Sequence, residues 1–212
     1  MGDGLVELGP ADIDAIMAVE RAAFDTEIQA DPATVLHRFA LGHHVRGFNH
    51  GGELSGTIGF STIELADEDF DRLPRTFKAY STQPTPGDSD TVCIYSLGIV
   101  RTARSFRAAR LLVDSAFEYG RVRGFRGVIA DGPIPSFAGN GQVAARPNVR
   151  EMIERYAETG VLPSHDDFLQ DPVLALYNRL TGCRFVKMLA GFLPEDTASG
   201  GWRVLLHRRL GE

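Results

Sequence analysis

Cysteine is scarce in this sequence: only Cys93 and Cys183 occur among 212 residues. Two thiols cannot form a disulfide framework, so the disulfide-rich folds of small secreted proteins are excluded and a reducing, cytoplasmic location is the expectation. The chain also lacks an N-terminal signal-like run and any apolar stretch of bilayer-spanning length. We therefore expect neither export nor membrane insertion.

Three motifs of common enzyme and metal-binding classes are missing as well. No G-x-S-x-G occurs, so serine hydrolase chemistry has no support. No G-x-G-x-x-G follows the first predicted strand, which argues against a dinucleotide-binding oxidoreductase. His43 and His44 are adjacent, so their side chains diverge in a strand, and no matching Cys/His/Asp set accompanies them. We therefore predict no metal site.

The overall composition is that of an ordinary soluble protein. Hydrophobic residues make up 43% and charged residues 24% of the chain, and the formal net charge is −6. A negative chain is a poor partner for nucleic acid, so we expect none. The length suits one domain with a sizeable core, and we predict a single domain over residues 1–212.

The most informative stretch is a strand–turn–helix–strand unit in the middle of the chain. Thr91–Val100 is β-rich and apolar, helical spacing begins after Arg104, Gly120 and Gly124 end the helix, and Arg126–Asp131 is a second short strand. This order places a turn and a helix N-terminus at one end of a sheet. Exposed N–H groups and the helix dipole can hold an anion there.

Arginines recur at every third position across this turn and the start of the helix: Arg101, Arg104, Arg107 and Arg110. The helix dipole disfavours cations at an N-terminus, so the series requires an explanation. One interpretation is a solvated cationic face. The other is a site for a multiply charged anion, such as a pyrophosphate with a further phosphate nearby.

Residues 97–109, LGIVRTARSFRAA, resemble the acetyl-coenzyme A signature of the GNAT superfamily of N-acetyltransferases. In that family a strand ending in L-x-V leads into [Q/R]-x-x-G-x-[G/A] at the start of a long helix. Arg104 matches the first position of the loop and Ala109 the last. Arg107 departs from the pattern, because it stands where the family usually has its middle glycine.

The order of the other predicted elements is similar to the same family. Strands are predicted over Gly4–Leu8, Val45–Phe48, Leu54–Leu65, Cys183–Phe192 and Trp202–Arg208, besides the two above. The resemblance implies an α/β fold with a mixed, mostly antiparallel sheet of about seven strands. Its fourth and fifth strands splay apart, helices cover both faces, and insertions lie at 66–90 and 132–169. The DPVL of 171–174 and the PED of 194–196 resemble GNAT domains sometimes fused to carbon–nitrogen hydrolases.

The resemblance also implies where the coenzyme would bind. The backbone of Ile99, Val100 and Arg101 would pair with the pantetheine arm. The phosphates would lie on the turn and the first helical residues, namely Arg104, Ser105, Phe106, Arg107, Ala108 and Ala109. Tyr177 matches a family tyrosine that protonates the departing thiolate, although a core aromatic with a satisfied hydroxyl is an equal alternative.

Several polar residues at or near strand ends are candidates for contacting the amine or acting as a base. Glu64 ends the third strand, Tyr95 and Ser96 lie on the fourth, and Asp131 ends the fifth. Each also has an ordinary structural interpretation as a polar group at a strand end. A base acting through water would leave no trace in the sequence.

The resemblance implies an N-acetyltransferase that moves an acetyl group from acetyl-CoA to a primary amine of a small molecule or peptide. Arg107 in place of glycine favours an alternative, a non-catalytic acyl-CoA binding or sensing module. A phosphate-binding α/β protein unrelated to acetyl transfer is a third interpretation. An edge strand such as Trp202–Arg208 could pair two copies into a homodimer.

Overall fold

The computed structural model describes residues 3–65, 68–101, 105–140 and 143–211. Its strands are β1 Gly4–Leu8, β2 His44–His50, β3 Glu53–Ile63, β4 Thr91–Ile99, β5 Gly127–Pro133, β6 Arg184–Leu189 and β7 Arg203–Arg209. They form one seven-stranded sheet in the order β1-β2-β3-β4-β5-β7-β6. All neighbours are antiparallel except β4 and β5, which run parallel. The predicted mixed, mostly antiparallel sheet is confirmed.

Helices cover both faces of this sheet, as predicted. They are α1 Ile13–Ala23, α2 Pro32–Ala40, α3 Phe77–Tyr80, α4 Ser105–Val122, α5 Pro147–Thr159, α6 His165–Phe168 and α7 Pro172–Thr181. Helices α1, α2 and α3 pack on one face, which we call the α1 face. Helices α4 to α7 pack on the other, the α4 face, over the largest apolar cluster. The 66–90 insertion supplies α3, and the 132–169 insertion supplies α5 and α6. No described helix is long and apolar enough to cross a membrane.

Helix α7 is positioned by Asp171. One carboxylate oxygen accepts hydrogen bonds from the N–H groups of Val173 and Leu174, at 2.8 and 3.0 Å, which caps the helix. The other oxygen accepts from the Ser136 N–H at 3.0 Å and so ties the loop after β5 to the same helix. Gly182 ends the helix with φ of 63°, a left-handed conformation that suits glycine.

The parallel pair β4–β5 is hydrogen-bonded over only part of its length. Pairing runs from Thr91 opposite Gly127 to Ile94 opposite Ala130, and the two strands then diverge. A β-bulge lies at this point: against β3, Ile94 and Ser96 face consecutive residues, leaving Tyr95 as the extra residue. A bulge bends its strand, which explains the separation. The splayed fourth and fifth strands predicted from the sequence are confirmed.

The strand predicted over Trp202–Arg208 exists as β7, but its predicted position at an edge of the sheet is wrong. Strand β7 lies between β5 and β6 and is hydrogen-bonded on both sides, because the β6–β7 hairpin folds so that β7 pairs with β5. The two edges of the sheet are β1 and β6. Strand β7 therefore offers no free edge at which a second copy of the chain could pair.

Candidate active site

A cavity of about 1080 Å³ opens where β4 and β5 separate. Its lining comes from both faces of the sheet, so it passes between the two strands. The α4 face contributes Val113, Val173, Tyr177, Thr181 and Leu206, among others. The α1 face contributes residues of α1, α2 and α3 together with Asp131 and Arg203. Pro133 at the end of β5 and Pro135 in the loop after it also line the cavity, as expected for a stiff loop at a strand end.

The gap leaves one edge of β4 without a strand partner. The Val100 N–H donates to the Ser55 carbonyl at 2.9 Å, so it faces β3 and not the gap. The Val100 carbonyl accepts from the Ser105 Oγ at 3.2 Å. Because N–H directions alternate along a strand, Leu97 and Ile99 direct their N–H groups into the gap. The predicted pantetheine contact is thus available at Ile99, whereas the Val100 N–H is already bonded.

The first turn of α4 presents backbone N–H groups that are not used within the helix itself. Ser105, Phe106 and Arg107 form the first turn of α4, where N–H groups have no partner inside the helix. Ala108 and Ala109 follow that turn, and their side chains are buried in the core. The candidate anion site on α4 therefore consists of its first three residues.

The arginine series divides into separate environments. Arg101 and Arg107 are exposed, and neither forms a hydrogen bond or ion pair within the described ranges. Arg110 instead donates to Asp114 at 2.9 Å and is held along the helix surface. Arg104 lies outside the described residues. Arg101 and Arg107 are thus available to a ligand.

Tyr177 lies on the α4 face of the gap, two turns into α7. Its ring packs against β5, since a Cβ added at Gly132 would lie 3.2 Å from the Tyr177 Cδ2. The hydroxyl forms no hydrogen bond with any described residue. Burial raises the pKa of Tyr177 to about 12, while the nearby Arg203 guanidinium partly opposes that rise. The phenol is therefore protonated at neutral pH.

Asp131 faces the opposite side of the sheet from Tyr177. Side chains alternate along β5, so Asp131 shares the α1 face with Ile129, whereas Ala130 points to the α4 face. Its Oδ2 lies 3.6 Å from Arg203 Nη1, and Arg203 Nη2 lies 3.0 Å from the Asp196 Oδ2. Burial raises the pKa of Asp131 to about 6, although Arg203 counteracts it. This carboxylate can exchange a proton near neutral pH.

The Tyr95 hydroxyl is not available as a base, because it forms a hydrogen bond with His43. The His43 Nε2 lies 2.6 Å from the Gln83 carbonyl, which can only accept, so Nε2 carries the hydrogen. The Nδ1 then accepts from the Tyr95 hydroxyl at 3.3 Å. Burial lowers the pKa of His43, which keeps the imidazole neutral. Tyr95 lines the cavity with its ring, next to Ser96.

Glu64 lies far from the gap. It is exposed and follows Ile63, which pairs with Thr91 at the start of β4, whereas the strands separate after Ile94. Glu64 does not line the cavity. Of the predicted substrate contacts, the structure therefore brings together Asp131 and Tyr95 and leaves Glu64 apart.

Sequence reasoning missed four charged residues that line the cavity and are buried: Glu20, Arg38, Asp196 and Arg203. A signal existed for two of them. Arg203 begins an otherwise apolar run of β7, and Arg38 falls on the apolar stripe of α2 three residues after Val35. A charge at a core-facing position is a reason to look for a buried partner.

The described residues contain no group of three or more His, Cys, Asp or Glu side chains arranged to hold a metal ion. The polar groups of the cavity include the carboxylates, arginines and phenols described above. They suit proton transfer and the binding of charged organic ligands.

Comparisons with solved structures find the same architecture. The loading GNATL domain of CurA from Lyngbya majuscula superposes with a TM-score of 0.73 at 14% identity, covering 99% of this chain and 98% of that one. The GphF GNAT-like decarboxylase in complex with isobutyryl-CoA gives 0.67 at 17%, covering 97% and 98%. The ribosomal-protein-S18-alanine N-acetyltransferase of Escherichia coli gives 0.61 at 10%, covering 99% and 95%. No protein-family model matches the sequence, and no curated protein is significantly similar to it. The strand order, the split parallel pair and these superpositions show that the chain has the GNAT fold.

Proposed function

We propose that this protein is an acyl-CoA-dependent N-acyltransferase that moves an acetyl group from acetyl-CoA to a primary amine of a small molecule or peptide. One observation carries the proposal: a single gap in the sheet brings together a free strand edge, a protonated tyrosine and a titratable carboxylate. Among the structures with this fold, a decarboxylase bound to isobutyryl-CoA supports an acyl-CoA ligand, and an N-acetyltransferase supports acyl transfer to an amine.

The residues around the gap fit coenzyme A. The free backbone groups of Leu97 and Ile99 can pair with an amide-bearing arm as an added strand would. The first turn of α4 and the exposed Arg101 and Arg107 can bind phosphates. Bound there, acetyl-CoA supplies an activated acyl group, and an N–H of β4 at the gap can polarise its carbonyl.

The acid and the base lie on opposite faces of the sheet. Asp131 faces the α1 side, where it can take the proton that the attacking amine loses as the new C–N bond forms. Tyr177 faces the α4 side, where its hydroxyl can donate a proton to the sulfur as the C–S bond breaks. The reaction is then balanced: one proton reaches Asp131 and one leaves Tyr177, and solvent restores both groups.

Turnover separates this function from a non-catalytic acyl-CoA module. The purified protein is mixed with acetyl-CoA and a panel of primary amines, and free thiol and acetylated products are measured. An acyltransferase releases one thiol for each amide formed. Coenzyme A binding without turnover of any amine would favour the non-catalytic module. If coenzyme A does not bind at all, both the acyltransferase and the non-catalytic module are wrong.

Arg107 gives a prediction about the donor half of the site. Arg107→Ala should weaken coenzyme A binding by about 1.5–3 kcal/mol, the range for hydrogen bonds to charged groups, because its exposed guanidinium has no partner among the described residues and can bind a phosphate. Calorimetry measures the change, and the wild-type affinity should fall as salt is added. Arg121→Ala, near the other end of α4, is the control and should bind normally. Equal affinity of the Arg107 variant and wild type would remove Arg107 from the site.

A further inference from the structure

Arg38 is a buried cation that lines the cavity without a carboxylate partner. Its side chain is 7% exposed, yet it forms no ion pair within the described part of the chain. Two of its five N–H groups are used: Nε donates to the Ser81 carbonyl at 3.0 Å and Nη2 to the Ser81 Oγ at 2.9 Å. The guanidinium also stacks 4.6 Å above the centre of the Tyr95 ring. Buried charges are normally paired, so the remaining donors of Arg38 are suited to binding an anion in the cavity.

Glu20 is the complementary case on the neighbouring helix. It is 7% exposed and lines the same cavity, and among the described residues its carboxylate accepts only the Ala30 N–H, at 2.8 Å to Oε1. Glu20 and Arg38 interact electrostatically but are not in contact as an ion pair. Two opposite charges are thus held apart in the wall of one cavity. A ligand that carries both charges would satisfy both groups.

Both groups lie on the side where the acceptor must approach. They belong to α1 and α2, and Arg38 stacks on Tyr95, the bulge residue at which the gap begins. The other charges that act on Arg38 are Asp31 at the start of α2 and Asp131 on β5. Asp131 is the proposed base, so an anion bound at Arg38 would hold an attached amine near the reacting centre.

We propose that the acceptor is an amino carboxylate, such as a free amino acid, whose carboxylate binds the Arg38 guanidinium. Glu20 attracts its ammonium group into the α1 side of the cavity, where the group loses one proton to solvent and becomes a neutral amine. Asp131 takes the second proton as the C–N bond forms. This inference rests on the proposed function and narrows its substrate class. A carboxylate could also enter on the acyl group of a dicarboxylic thioester such as malonyl-CoA or succinyl-CoA. Because Glu20 and Arg38 together suit a ligand with one positive and one negative charge, we assign the carboxylate to the acceptor rather than to the acyl donor.

The test compares each of the twenty standard L-amino acids with its carboxamide, which keeps the amine and removes the negative charge. Acetyl transfer from acetyl-CoA is measured for every pair. In parallel, calorimetry measures binding of the N-acetyl amino acids and their amides to the CoA-saturated protein, a readout that needs no turnover. We expect at least one amino acid to be preferred over its amide by about 10- to 150-fold, the range for a hydrogen bond to a charged group.

The variants assign that preference to Arg38. Arg38→Gln should reduce the acid-to-amide ratio to about one, and Arg38→Lys should retain part of it, because lysine keeps the charge and loses the fork. Ser81→Ala removes the hydrogen bond between Arg38 Nη2 and the Ser81 Oγ, which ties α2 to the end of α3. This variant tests whether the contact between the two helices is enough to change the acid-to-amide ratio, and we expect that ratio to stay unchanged. Arg121→Gln is the exposed control. A ratio measured within one variant does not depend on how well that variant folds.

Three results would overturn the inference. In the first, amides bind and react to the same extent as the acids. In the second, Arg38→Gln reduces the binding and acetylation of acids and amides equally. In the third, none of the acids binds. A fourth result would also overturn it, by showing that Arg38 recognises a carboxylate on the acyl group of the acyl-CoA. In that case Arg38→Gln would change only the preference for malonyl-CoA or succinyl-CoA over acetyl-CoA. If simple amines and amides are acetylated without preference, the acceptor class is wrong but the proposed function stands. If no amine of any kind is acetylated, the function itself fails.

Discussion

Tyr177→Phe is expected to lower kcat by about 10²–10⁴-fold, the usual contribution of a positioned proton donor. The reason is the location of the hydroxyl on the α4 side of the gap, where it forms no hydrogen bond with the described residues. A phenol whose pKa is raised to about 12 stays protonated and can donate to a forming thiolate. Steady-state kinetics with acetyl-CoA measure the effect.

The same change should leave folding and coenzyme A affinity nearly unaffected. Phenylalanine keeps the ring that packs on Gly132 and removes no hydrogen bond that the described structure uses. Tyr156→Phe is the matched control, because Tyr156 stacks edge-on against Trp202 and does not line the cavity. A Tyr177 variant with normal turnover, or one that unfolds, would place this residue in the core and leave the acid to solvent.

Asp131→Asn is expected to reduce kcat/KM by a similar factor, about 10²–10⁴-fold above pH 7, because asparagine cannot accept the proton of the amine. The pH profile is the sharper readout. Burial raises the pKa of Asp131 to about 6, so the wild-type rate should rise with pH up to that value and then level off. The residual activity of the variant should lack this rise. Asp114→Asn, an exposed carboxylate paired with Arg110, is the control.

Stability gives an independent check on Asp131. Its pKa rises from 3.8 in the unfolded chain to about 6 in the folded protein, so the folded state binds the proton more tightly. The stability that this group contributes is present below about pH 4 and is lost as the pH rises through about 6. Denaturant titrations across that window should show the loss in wild type and not in Asp131→Asn. If the variant loses stability over the same pH range as wild type, another group titrates there and Asp131 is not the base.

Much of the fold follows from local sequence signals. The alternation of strand and helix over residues 91–131 depends on hydrophobic period and on glycine stops, which are local properties. The Asp-Pro pairs at Asp31 and Asp171 start helices for a reason that needs no tertiary information. Tyr177 and Asp131 were candidates because of the family resemblance and a strand end, and the structure places both in the lining of one cavity.

Other features depend on contacts between distant segments. Which N–H groups of β4 face the gap is set by the bulge at Tyr95 and by pairing with β3. The sequence indicated Ile99, Val100 and Arg101, whereas the structure directs the N–H groups of Leu97 and Ile99 into the gap and bonds the Val100 N–H to β3. The interior position of β7 follows from its pairing with β5 rather than from any local pattern.

The buried charges are a second feature of this kind. Arg38 and Glu20 become buried only when α1, α2 and the insertion containing α3 pack together. The sequence therefore places Arg38 on the apolar stripe of α2 but does not show what its side chain faces.

A crystal structure of the protein with coenzyme A tests the central claim, that the gap between β4 and β5 is an acyl-CoA site. We expect the pantetheine arm to lie in the gap, bonded to the backbone of Leu97 and Ile99. Its pyrophosphate should contact the first turn of α4, and its sulfur should lie within hydrogen-bonding distance of the Tyr177 hydroxyl. Coenzyme A bound elsewhere would show that the gap is not the acyl-CoA site, and coenzyme A bound in the gap with its sulfur out of reach of Tyr177 would remove Tyr177 as the acid.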